Sequence, residues 1–172
     1  LGSKFKEQVL IAGIIALIMV AIVVAFLYKQ PNIVIPMLAT SFSEVIIILG
    51  FTAVIGFQLD LATIAGIIAV IGTGIDHLII ITDEVLAGGS MPSSKVYKSR
   101  LTKAFAIIFS AAATVLVAMS PLLVMGFGAL KGFAVITIVG ALIGVFIARP
   151  AYAVVIQGML VEDTGKKYVD EE

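Results

Sequence analysis

The sequence predicts an all-α polytopic membrane protein with five transmembrane helices, and two observations carry that reading. Of 172 residues, 61% are apolar and only 13% charged, where a soluble domain carries about 25% charged residues. The mean hydropathy is +1.21, and the apolar residues fall in runs long enough to cross about 30 Å of hydrocarbon at roughly 1.5 Å per residue. Such a chain gives its apolar surface to lipid as well as to a packed core.

The runs are justified in chain order. The first covers about 9–28 and is ended by KQPN (29–32). The second covers about 33–57, with Pro36 tolerable in its first turn. QLD (58–60) makes a tight connection to the third, about 61–86, which GGSMPSSK breaks. KVYKSRLTK (95–103) is basic and amphipathic and reads as an interfacial stretch before the fourth run, about 104–125, which carries Pro121 near its end. GFGALKG turns the chain into the fifth run, about 132–159, and residues 160–172 form a polar tail expected to fray. The whole is read as a single membrane domain over 1–172, multi-pass in the cell membrane.

Basic flanks set the orientation. Five spans place the termini on opposite sides. Lys29, Lys95, Lys98, Arg100, Lys103, Lys166 and Lys167 collect on one side, against Lys4, Lys6 and Lys131 on the other. The first side is expected to be cytoplasmic, with the N-terminus outside and the C-terminal tail inside.

Composition also excludes classes. The formal net charge is zero, and no basic patch with interleaved aromatics suggests nucleic acid. With no cysteine and one histidine, disulfides, thiolate catalysis and a transition-metal set drop out, so neither metal nor cofactor is expected. The first run is too long for a signal peptide and lacks a cleavage site. The chain begins at Leu1 without methionine, which suggests a piece of a longer protein.

Small residues mark where helices should meet. Gly66, Ala69, Gly72, Thr73 and Gly74 lie on the third span, Ser110 to Ala113 on the fourth, and Gly140, Gly144 and Ala148 on the fifth. They let backbones approach where lipid offers no hydrophobic drive to associate.

Three ionisable residues sit well inside spans: Glu44, Asp76 and Arg149. Each costs about 2.5–3.5 kcal/mol at mid-bilayer, so such groups persist where they are paired or put to use. By helical rise, Glu44 lies ~16 Å into the second span and Asp76 ~22 Å into the third, at similar depth on consecutive helices. Arg149 lies ~25 Å along the fifth span, nearer the cytoplasmic headgroups. Asp76 is the leading functional candidate, because a carboxylic acid in a low-dielectric site can take up and release a proton as its surroundings open and close. Gly72 and Thr73, one turn back, leave room beside it. Glu44, flanked by Ser41 and Ser43, is a second candidate for the proton. His77 is a third, although it points about 100° away from Asp76. Arg149 is expected to pair with Asp83 or to reach the interface, and Asp83 and Glu84 read as interfacial charges.

At these residues the chain resembles the SecD branch of the SecD/SecF family, the membrane subunits that assist the Sec protein-export channel within the wider RND superfamily. LGSKFKEQ (1–8), LDLATIAGII (59–68), the Gly-xxx-Asp motif in GTGIDHLIIITDEV (72–85) and ALKGFAVITIVGALIGVF (129–146) carry the resemblance. It implies that the spans are helices two to six of a six-helix RND-type bundle, with the first helix and an external substrate domain lying outside this sequence. It implies SecF as pairing partner, the Sec translocon and a translocating polypeptide as further partners, and Asp76 as the intramembrane aspartate of proton-coupled export. His77-Leu78, Asp83-Glu84 and Glu44 depart from the bacterial pattern and look like the archaeal branch. Rival readings are an RND-type exporter of lipids or small molecules, and a membrane scaffold that couples to nothing. An intramembrane aspartyl protease is disfavoured, since Gly72-Thr73-Gly74-Ile75-Asp76 carries one residue too many and no second aspartate matches Asp76 in depth.

Overall fold

A computed structural model describes residues 2–56, 60–87, 94–126 and 128–169. The described residues form helices α1 (Gly2–Tyr28), α2 (Pro31–Val54), α3 (Leu61–Leu86), α4 (Ser94–Met125), α5 (Ala129–Ile143) and α6 (Arg149–Val169), with a π turn over Gly144–Ala148 between the last two. Five stretches are long and apolar enough to span a membrane: Ile11–Tyr28, Pro31–Val54, Leu61–Leu86, Lys95–Met125 and Ala129–Met159. The chain is a multi-pass, all-α membrane protein.

Local chemistry sets several ends. Lys29 closes α1 in the left-handed region (φ 54°), its N–H bonding Ala25 O at 3.0 Å. Pro31 follows in the first turn of α2, where a missing N–H costs nothing. Gly56 (φ 65°) ends α2 without the steric penalty that a Cβ brings in that region. Asp60 caps α3, accepting from Thr63 N at 2.7 Å and from the Thr63 hydroxyl at 2.6 Å.

Several boundaries differ from expectation. The basic stretch over 95–103 is not a separate interfacial piece: it forms the first turns of α4, because Tyr97, Ala104 and Ile108 share a buried face. The fifth span begins at Ala129 and ends at Met159 as expected, while the helix itself runs on to Val169 through the expected tail. Most of the expected connection over 58–60 and of the break after α3 lies outside the described residues, as do residues 170–172.

α3 is the central helix and packs most extensively on α5. Glycine makes that approach possible. A Cβ on Gly140 would lie 2.6 Å from Val70, one on Gly132 2.7 Å from the Thr63 hydroxyl, and one on Gly66 3.3 Å from Phe133 O. Of the glycines expected at helix contacts, Gly66 and Gly140 serve that role. Gly72 does not: it is exposed, with nothing within 4 Å of the position a Cβ would take.

Ile48, Ile67, Val70, Ile71 and Ile136 form one apolar cluster. A larger one gathers Met37, Ile75, Leu78, Ile81, Val85, Tyr97, Ile108 and Tyr152 at the other end of α3. There the helices are also tied by polar bonds. Thr82 and Tyr152 hydroxyls meet at 2.7 Å, Tyr97 donates to Ala153 O at 2.6 Å, and Arg100 donates to Val85 O at 3.0 Å.

Candidate intramembrane charge site

The interior of the bundle holds one ion pair among the described residues, and both partners were visible in the sequence without their partnership. Arg149 Nη1 donates to Glu44 Oε1 at 2.5 Å, and the two residues are 1% and 3% exposed. Glu44 comes from the buried face of α2, which also carries Met37, Ser41 and Ile48. Arg149 opens α6 directly after the π turn. A π turn inserts a residue into the helical register and rotates every later side chain about the axis, and such turns often sit at functional sites.

Room for the pair comes from two glycines. A Cβ on Gly144 would collide with the Arg149 guanidinium and lie 2.6 Å from Glu44 Oε1. One on Gly74 would lie 3.0 Å from Glu44 Oε2 and 3.3 Å from Arg149 Nη2. Gly74 and Gly144, expected at helix–helix contacts, line the chamber of the ion pair between helices. An ion pair this dry repays its desolvation only when its geometry is good, and removing one partner of such a pair costs about 3–5 kcal/mol.

The expected Arg149–Asp83 pair does not form. Gly74, against the ion pair, and Asp83 are nine residues apart, which places them about 180° apart around α3. Asp83 is exposed and accepts from the Tyr28 hydroxyl at 2.6 Å, linking α1 to α3. Asp76 stands two residues beyond Gly74 and so faces about 200° away from it. The matching depths of Glu44 and Asp76 therefore do not bring them together: one points into the bundle, the other out of it. Asp76 is exposed, as are Ala69, Gly72, Thr73 and Asp83 on the same helix. The Thr73 hydroxyl turns back to Ala69 O and Val70 O, both at 3.2 Å. His77 is half-buried, and its Nδ1 is a buried atom with no partner among the described protein atoms.

Sequence reasoning missed the roles of Tyr28, Tyr97 and Tyr152. A signal was present, since four tyrosines without tryptophan in so apolar a chain are hydroxyls that seek partners when buried.

Comparison with known proteins places the chain among membrane export components. The family model described as "Protein export membrane protein SecD/SecF, C-terminal" matches residues 1–157. The protein-export membrane protein SecD of Haloferax volcanii is 52% identical over 162 residues, covering 94% of this chain and 31% of that protein. Its namesake in Methanocaldococcus jannaschii is 52% identical over 158 residues, covering 92% and 39%. The protein translocase subunit SecD of a Synechocystis strain is 30% identical over 152 residues, covering 86% and 31%. The chain thus spans about a third of the length of these curated relatives.

Proposed function

Because the chain belongs to the SecD/SecF family of protein-export membrane proteins, we propose that it is the membrane segment of a SecD-type subunit that uses the proton gradient to assist polypeptide translocation. One observation carries the reading. Asp76 lies ~22 Å along a spanning helix and is exposed on the outside of this bundle, while the charges inside the bundle already neutralise each other.

A carboxylate facing acyl chains is strongly disfavoured. Asp76 therefore needs a polar or cationic neighbour from another helix bundle, and SecF is the partner that family membership supplies. Exposed Gly72 and Thr73 on the same helix let a partner helix come close. Protonation of Asp76 then biases the arrangement of the two bundles, since the ionised form disfavours any arrangement that leaves it dry. Domains outside this segment convert that bias into pulling or holding of the emerging chain beside the Sec translocon. Glu44 and His77 lie off this surface, and their share in proton transfer is secondary to Asp76. The N-terminal end of α1 faces outside and the end of α6 the cytoplasm, in keeping with the basic flanks.

The test replaces Asp76 by Asn in the full-length protein, keeping size and hydrogen bonding while removing the titration. Export from cells or vesicles should lose its dependence on the proton gradient. Gradient-dependent export at the wild-type level would instead favour the scaffold reading.

A further inference from the structure

Three buried side-chain polar atoms among the described residues have no protein partner: Arg149 Nε, His77 Nδ1 and Ser41 Oγ. Helical position puts all three on the side of the Glu44–Arg149 pair. Ser41 lies one turn before Glu44 on the buried face of α2. His77 lies three residues beyond Gly74, which puts it within about 60° of the direction in which Gly74 faces the pair. Arg149 supplies the third atom itself.

Ser41 is unusual among the hydroxyls of this bundle. Thr40, Ser43, Thr82, Thr114 and Thr137 each bond the carbonyl four residues back, the usual recourse of a hydroxyl in an apolar helix. Ser41 is buried and does not. Its hydroxyl, a guanidinium N–H and an imidazole nitrogen together offer what a buried water needs, about three partners on otherwise unsatisfied groups.

We propose that the ion-pair chamber is an internal water site between α2, α3 and the π turn. One or more waters accept from Arg149 Nε–H and bond His77 Nδ1 and Ser41 Oγ. This hydrates the side of the guanidinium away from Glu44 and gives His77 Nδ1 a partner. The site stands on the opposite side of α3 from Asp76 and does not rest on the export reading.

The single histidine of this chain makes the test clean. The full-length protein is labelled with nitrogen-15 at histidine, any histidine outside this segment replaced, and placed in lipid bilayers. Solid-state magnetic resonance then measures polarisation transfer from water to the ring nitrogens. Transfer to His77 Nδ1 is expected in the wild type, falling at least twofold in Ser41→Ala and further in Ser41→Val, whose methyl groups occupy the water position. No transfer to Nδ1 in the wild type overturns the proposal. So does transfer that both variants leave unchanged, because the water then lies elsewhere. The readout needs no export, so loss of gradient coupling in the Asp76→Asn protein has no bearing on it.

Discussion

Replacing Arg149 by Met strands Glu44, 3% exposed, without its one charged partner among the described residues. Stranding a buried charge costs about 3–5 kcal/mol. Glu44→Leu strands Arg149 in the same way and should cost a similar amount. The double variant leaves no charge to desolvate. Apolar replacements of buried ion pairs are often neutral or stabilising, so it should be more stable than either single variant. With a near-neutral double variant the expected coupling approaches the sum of the two single-variant losses, about 6 kcal/mol or more. Reversible unfolding of the full-length protein in mixed micelles gives the four free energies. Additive single losses, or an Arg149→Met protein within about 1 kcal/mol of wild type, would refute the reasoning that this pair is shut off from bulk solvent and tightly coupled. Gly144→Ala supplies a control: its Cβ meets the guanidinium, and it should lose stability in the wild-type background but much less beside Arg149→Met.

Other expectations are local. Gly140→Ala puts a Cβ 2.6 Å from Val70 and should cost about 1–3 kcal/mol by overpacking, with Val70→Ala in the same chain restoring part of it in the same unfolding assay. The Thr63 hydroxyl and N–H hold the Asp60 carboxyl below the usual carboxylate range. The stability of this cap is therefore present above the ordinary carboxylate pKa and lost as pH falls through the lowered value. Asp60→Ala should cost about 0.5–2 kcal/mol at neutral pH, and Asp60→Asn should keep most of the cap while flattening its pH dependence, as unfolding measured across an acid titration will show. Tyr152→Phe removes the 2.7 Å bond to Thr82 and should cost about 0.5–1.5 kcal/mol, since Thr82 keeps its own bond to Leu78 O at 2.8 Å.

The five spans were legible because lipid leaves the chain little choice: runs of apolar residues must close their backbone bonds within helices. Glu44, Asp76 and Arg149 were legible as costly charges at depth for the same reason. Their partnerships were not. Depth comes from counting residues, but facing direction needs the register, and the π turn over Gly144–Ala148 shifts that register just before Arg149. Gly74 and Gly144 read as small residues at a helix contact. That an arginine and a glutamate fill the gap they leave depends on three helices at once, and Pro150, which marks a break in the helix ladder, does not tell which way Arg149 turns. Tyr97 and Arg100 were hidden in a basic stretch whose lysines suggested an interface, although every third or fourth residue from Tyr97 through Leu101 and Ala104 to Ile108 packs into the core.

The central claim is that the carboxyl of Asp76 carries the proton that drives export, while Glu44 and Arg149 neutralise each other inside the bundle. Proton flux answers it most directly, measured with a pH-sensitive dye trapped in vesicles containing the full-length subunit with SecF. Uptake driven by an imposed gradient should be present in the wild type, lost in Asp76→Asn, and retained in the Glu44→Leu/Arg149→Met double variant. Flux that survives Asp76→Asn but vanishes in the double variant would contradict the assignment and move the proton path into the bundle interior.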